Sequence, residues 1–292
     1  MRAEIALAAG LFVFGLSSAA SAYCRTTTCT SKTCSTSPSC DQCLDGGLPL
    51  YWPSSCVSFS TQVDGSPLRG IDFETLRNAV ATGFVQWQSA PCAVGGTPSI
   101  NLNDFGAVTC DRQEYNQDAP NANIWMFRDD YWPYVGSNST LALTTITFNV
   151  KTGQIFDADV EINSAENAIT VGDVSTQYDL LSIATHEAGH FLGLSHSCDQ
   201  SATMFSYYAT GDTSMRSLEA DDIAGICSIY PPGDTSRACD ATPRHGFSTK
   251  CKTPEDKGCC TTAPGRPSGS GSLAVFAGLL GLALLTARRR RS

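Results

Sequence analysis

Histidine is scarce in this chain, with four among 292 residues. Charged residues make up only 16%, too few for a disordered chain held open by its own charge. Lysine and arginine number 19 against 28 acidic residues, for a formal net charge of −9. Four of those basic residues are Arg288 to Arg291, at the extreme end. The body is therefore acidic and has nothing to displace counterions from phosphate, which argues against nucleic acid as a partner. No internal repeat is visible, so a solenoid or propeller does not fit. Cysteine, by contrast, is abundant. There are 14, none in the first 23 residues or the last 32. That usage points to disulfides and an oxidising compartment.

The two ends read as addresses. Met1 to Ala22 has Arg2, an apolar run from Ile5 to Leu16, and a small-x-small site at Ala20-Ser21-Ala22. This is the pattern of a secretory signal peptide, with Tyr23 as the first mature residue. At the other end the fifteen residues Leu273–Ala287 are apolar and precede the arginines. As a helix they rise about 22 Å, short of a hydrocarbon core near 30 Å. With Gly269 to Ser272 added they reach across a thin bilayer, with the arginines inside and the body outside. A short span closed by arginines resembles the C-terminal sorting tags of myxobacterial surface proteins. Cys259-Cys260 stands where such tags carry a cysteine. A plain C-terminal anchor is the competing reading.

Between the ends the chain divides into residues 23–47, rich in Cys, Ser and Thr; 48–232, patterned as a globular domain; 233–267, a crosslinked linker; and 268–292, the tail. Val57 to Val63 alternates as a strand, and Ser99–Asn103 and Asn123–Phe127 read as short strands. Leu141–Val150 and Gln154–Asn163 read as a hairpin turning at Lys151-Thr152-Gly153. Phe73, Leu76, Val80, Phe84 and Trp87 recur at helical spacing over Ile71–Ala90, with Asp72 as N-cap. Asp179 to about Gly193 and Leu218 to Ile229 are the other helices. The expected fold is α+β, a twisted mixed sheet of about five strands with three main helices.

The chemistry lies in His186–His196, HEAGHFLGLSH. His186 and His190 are four apart on a helix, so their rings leave one face about one turn apart. Two such imidazoles can hold one Zn²⁺. Glu187 sits beside the first ligand, within reach of a metal-bound water. Gly193 permits a positive φ, so the helix can stop and the chain return His196 as a third ligand. Three nitrogens leave the fourth position open, as in a catalytic zinc site. Core histidines are the bland alternative. Three of four histidines within eleven residues argue against it.

HExxHxxGxxH resembles the zinc signature of the metzincin metallopeptidases. Ser197 follows it as in matrixins, Met204 resembles their Met-turn, and Ser217–Tyr230 resembles their closing helix. Gly153–Asn163 (GQIFDADVEIN) resembles the sheet's edge strand in bacterial matrixin-like peptidases. The resemblance covers roughly Leu48–Pro232 and is strong from Gln154 to Tyr230. It implies a zinc cleft below the edge strand, Glu187 as general base, and substrate antiparallel to the edge near Asp157–Asn163. It also implies Met204 and Asp222 as supports and Tyr208 as a pocket wall. Asp221 would meet a new N-terminus, although no activation site is recognisable.

The chain also departs from the family. Only His245 lies outside the motif, so the second, three-histidine zinc of vertebrate matrixins cannot form. No PRCG-type cysteine precedes Leu48. Cys56 is the nearest, and a disulfide suits it better. Asp157, Asp159 and Glu161 alternate along one strand face, where calcium binding and a solvated, aggregation-resisting edge weigh equally. Cys198 with Cys227, and Cys92 with Cys110, are candidate pairs, but connectivity is not readable from sequence.

The reading is an exported, monomeric bacterial zinc endopeptidase, at the cell surface, in the outer envelope of a Gram-negative cell, or secreted. It acts on proteins or peptides and meets the membrane through its tail. The rival is a surface binding or adhesion protein on an inactive or latent peptidase scaffold. A zinc hydrolase of other amides is a third class.

Overall fold

The computed structural model describes residues 22–29, 33–135 and 140–252, with two short strands beyond them. Five strands form one mixed sheet. They are β1 (Cys56–Gln62), β2 (Asn101–Val108), β3 (Ile124–Phe127), β4 (Ala142–Phe148) and β5 (Ile155–Ile162). Their spatial order is β4–β5–β3–β1–β2. All neighbours are parallel except β4, which runs antiparallel to β5 through the expected hairpin. Ala274–Phe276 pairs antiparallel with Ile146–Phe148 on the outer side of β4. Ala283–Leu284 pairs parallel with Tyr207–Tyr208.

The resemblance implies Gly153–Asn163 as the sheet's edge, but the strand in this segment is β5, hydrogen-bonded on both sides. Its Asp-x-Asp-x-Glu alternation imitates a half-solvated strand, yet Asp157, Asp159 and Glu161 are fully buried. The antiparallel strand at that end of the core sheet is β4.

Two helices pack on the sheet, α1 (Phe73–Gln88) and α2 (Leu180–Phe191), and a third, α3 (Ala220–Ile229), adds Ile226 and Ile229 to the same core. Asp72 caps α1 by accepting the Thr75 N–H at 2.8 Å, and Leu76, Val80, Phe84 and Trp87 bury its inner face. Phe84 meets Phe191 of α2 edge-on at 5.0 Å, and Trp87 Nε1 donates to the Thr185 carbonyl at 2.8 Å. α2 is buried along almost its whole length, so every polar group on it needs a partner or a function.

Six disulfides form among the described residues: Cys40–Cys198, Cys56–Cys239 and Cys110–Cys251 tie the flanks to this core, Cys24–Cys43 and Cys29–Cys34 staple the N-terminal segment, and Cys92–Cys227 lies within the globular domain. The pairs Cys198–Cys227 and Cys92–Cys110 are therefore both overturned. Each cysteine has a nearer partner once the sheet is folded, which spacing along the chain could not show. Residues 233–252 lie back against the sheet, with Phe247 packing beside Val108, Ile124 and Met126. The proposed leader falls outside the described residues except for Ala22. So does the apolar tail apart from its two strands, and so do Cys259 and Cys260. Among the described residues no helix is long and apolar enough to cross a membrane.

Candidate metal centre

Asp179 begins α2 by accepting the Ser182 N–H at 2.8 Å, and Arg216 holds the same carboxylate at 2.7 Å. The other end closes on glycine. Gly193 has φ +99°, its N–H reaches the His190 carbonyl at 2.9 Å, and Leu194 N–H reaches Gly189 at 3.0 Å. Those two bonds form a Schellman stop. Two more carbonyls at this end are met by Trp52 Nε1 on Phe191 and Tyr230 OH on Leu192. The helix is thus fixed at both ends, and the chain leaves it sharply toward His196.

The Cys-rich segment braces that exit. Thr26 N–H bonds to the Gly193 carbonyl at 3.0 Å and Ser195 N–H to the Cys24 carbonyl at 2.9 Å, so residues 24–26 bridge antiparallel to residues 193–195, which join the second and third histidines. Cys40–Cys198 anchors the chain two residues past His196. The sequence shows residues 23–47 to be rich in Cys, Ser and Thr but does not show this support.

His186, His190 and His196 converge with ligand atoms all within 4.8 Å of one another. Their three Nε2 atoms are buried and have no hydrogen-bond partner among the described residues. Nδ1 of His186 faces the Thr203 carbonyl at 2.6 Å, and Nδ1 of His190 faces the Leu194 carbonyl at 2.9 Å. A carbonyl can only accept, so both Nδ1 atoms carry the proton and both Nε2 lone pairs are free. Burial pushes His186 down to about 3 and His190 down to about 4. Burial and the two neighbouring rings hold His196 well below the usual range. Three buried, neutral, outwardly unpartnered nitrogens fit a soft-to-borderline divalent metal such as zinc. The other cluster with ligand spacing among the described residues, Cys24, Cys40 and Cys43, is consumed by disulfides.

Glu187 is buried beside this triad. Burial raises its carboxyl to about 7, opposed by a hydrogen bond from Thr144 Oγ1 at 2.6 Å. Sequence reasoning missed Thr144. Thr144, Thr145 and Thr147 look alike in LALTTITF, and only the fold shows which one meets α2.

The supports fall around the triad. Met204 is buried against α2. Asp222 accepts the N–H groups of Thr203 at 2.7 Å, Met204 at 3.0 Å and Glu219 at 2.9 Å. Burial nevertheless raises its carboxyl to about 6. Asp221 accepts the N–H groups of Ala22 and Tyr23 on one oxygen, at 2.8 and 3.0 Å, and Ser197 Oγ on the other at 2.6 Å. The carboxylate thus joins the start of the described chain to the residue after His196. Tyr208 is buried, and its hydroxyl accepts from Asp179 N–H and donates to the Asp212 carbonyl. Tyr207 beside it is 40% exposed.

On the opposite face of the sheet the acidic trio is accounted for unevenly. Glu161 pairs with Arg128 and Tyr134. Asp159 accepts from Glu114 N–H at 2.9 Å and Ile124 N–H at 2.8 Å. Neither oxygen of Asp157 has a hydrogen-bond partner among the described residues. The solvated-edge reading of these three residues is overturned by their burial.

Comparison with known proteins agrees with this geometry. The matrixin family model matches residues 118–231, and the architecture is that of an α+β metzincin domain. The chain is 35% identical over 137 residues to human neutrophil collagenase, covering 43% of this chain and 28% of that protein. It is 34% identical over 194 residues to matrix metalloproteinase-C of Caenorhabditis elegans, covering 64% of this chain and 30% of that protein. It is 36% identical over 108 residues to human matrilysin, covering 37% and 38%. The chain thus spans well under half the length of these relatives.

Proposed function

We propose that this protein is an exported zinc-dependent endopeptidase. The observation that carries the reading is the triad of buried Nε2 atoms without partners, two of them with proton positions fixed by carbonyls. His186, His190 and His196 would hold the ion. Zinc bound there supplies a Lewis acid that polarises a peptide carbonyl and acidifies water. Glu187 takes the proton from the attacking water and passes it to the departing amine, which completes hydrolysis of the bond.

Substrate is placed on β4, not on β5. An extended peptide adds to a sheet edge through main-chain hydrogen bonds. The antiparallel pairing of Ala274–Phe276 with Ile146–Phe148 is a strand of this kind on β4. Tyr208, fixed at its hydroxyl, serves as a wall of the pocket beyond the scissile bond. Export is supported by the disulfides, which suit an oxidising compartment. Calcium on Asp157 is a further part of the proposal, supported by that residue's two unpartnered oxygens.

The test is hydrolysis of an unfolded protein by the oxidatively folded chain, beside Glu187→Ala, with zinc quantified in both. Cleavage by the wild type alone, with one zinc in each, is the expected result. Zinc in both and cleavage by neither, with or without residues 253–292, would turn the reading to a binding scaffold. Absence of zinc from both would overturn the three-histidine site.

A further inference from the structure

We propose that Thr144 is a positioning residue for Glu187, fixing the base from the same strand on which substrate is laid. The inference rests on the peptidase reading above and deepens it. Thr144 lies in β4 opposite Val160 of β5, and Val160 is in the core beneath the helices. That register turns the Thr144 side chain toward α2 and its neighbour Thr145 toward the other face. The hydroxyls of Thr145 and Thr147 are buried without partners among the described residues. The Thr144 hydroxyl alone among the three reaches α2, 2.6 Å from Glu187 Oε2 and 3.4 Å from the Glu187 carbonyl.

The chemistry of the pair has one direction. An ionised carboxylate only accepts, so the hydroxyl donates. The terminal torsion of a glutamate is broad and roughly two-fold, so an untethered carboxylate has no single orientation. A buried donor on one oxygen removes that freedom and leaves the second oxygen to meet the water's proton. General-base catalysis depends on that placement before it depends on basicity.

The strand matters as much as the hydroxyl. Main-chain groups of β4 are the ones a peptide would pair with, and the Thr144 side chain leaves the same backbone toward the base. Strand placement and base placement are therefore set by one residue. A shift of β4 on substrate docking would be felt directly at Glu187.

The test uses the full oxidatively folded chain with Thr144→Val, Thr144→Ser and Thr144→Ala. Valine keeps the shape and strand propensity while deleting the donor. Serine restores the donor. Thr144→Val should lower kcat about tenfold or more, with KM within about twofold, because only the transition-state step loses an interaction. Zinc content should stay at the wild-type value, and the melting temperature should fall by no more than the few degrees that one deleted buried hydrogen bond costs. Thr144→Ser should recover kcat to within about threefold. Within a Glu187→Ala background, Thr144→Val should change the residual rate no further. A crystal structure of Thr144→Val should show the Glu187 carboxylate rotated from its wild-type orientation.

Wild-type kcat in Thr144→Val, or a serine variant as slow as the valine one, would overturn the inference. Should valine disturb folding or zinc binding, Thr144→Ala compared with Thr144→Ser decides on the same split. A wild type inactive both with and without residues 253–292 would instead overturn the peptidase reading. The carboxylate orientation in the variant crystal would then still decide whether Thr144 positions Glu187.

Discussion

Gly189 and Met204 occupy adjoining space so closely that a Cβ on Gly189 would collide with the methionine sulfur. The same Cβ would lie 2.7 Å from Cζ2 of Trp87. The glycine between the two helical histidines is thus what lets the methionine loop and α1 approach α2 together. Gly189→Ala gains about 1 kcal/mol of helix propensity and loses about 1–3 kcal/mol to overpacking. The net outcome expected is a lower melting temperature and weaker zinc binding, read by calorimetry and by zinc titration. An alanine variant as stable as wild type, holding zinc equally well, would show that the contact relaxes at no cost.

Asp222 reaches the triad through one intermediate. Its carboxylate holds the Thr203 N–H, and the Thr203 carbonyl holds Nδ1 of His186. Asn in its place offers one accepting atom where three backbone donors converge. Asp222→Asn should cost about 2–3 kcal/mol of stability. It should also weaken zinc binding about 10- to 100-fold, as loss of a group supporting a ligand commonly does. Denaturant melts and competitive chelation measure the two effects separately, and an intact zinc affinity would sever the link drawn here.

How much of this was legible in the sequence follows from the range of each interaction. The α1 face, the N-cap at Asp72, the Gly193 stop and the three histidines depend on neighbours a few residues away, and the periodic pattern carries them. The role of β5 depends on what covers it. Its alternating acids look solvated until Arg128, Tyr134 and backbone groups near Glu114 close over them. Disulfide partners such as Cys40 and Cys198 are 158 residues apart, and no local rule connects them. Thr144 belongs to the same class, because its function exists only where β4 crosses α2.

Asp157 gives the clearest pH dependence. Burial raises its carboxyl well above the ordinary range, and the charges of Asp159 and Glu114 add to the shift. A carboxyl raised on folding contributes stability that is fully present below its unfolded pKa, near 4, and is lost as pH rises through the folded value. Asparagine suffers no such loss. In chelator, Asp157→Asn should match wild type near pH 4 and exceed it at pH 8 by on the order of 2 kcal/mol, the cost of an unpaired buried charge. Millimolar calcium should reverse the order at pH 8 by stabilising only the wild type. A stability difference that ignores both pH and calcium would remove Asp157 from the calcium proposal.

The last prediction concerns the outer side of β4. Ala274–Phe276 pairs there with Ile146–Phe148, and Ala283–Leu284 pairs with Tyr207–Tyr208. These are the segments assigned above to substrate docking and to the pocket wall. A peptide cannot add to an edge whose hydrogen-bonding groups are already taken. A chain ending at Lys252 keeps all six disulfides and the whole triad. It should cleave an unfolded substrate several-fold faster than the chain ending at Ser292, with the gain in KM because the tail competes for the same strand position. A synthetic peptide of residues 273–287 added to the shortened enzyme should raise KM again. Equal rates from the two chains, with no effect of the peptide, would show that the tail leaves β4 free in solution.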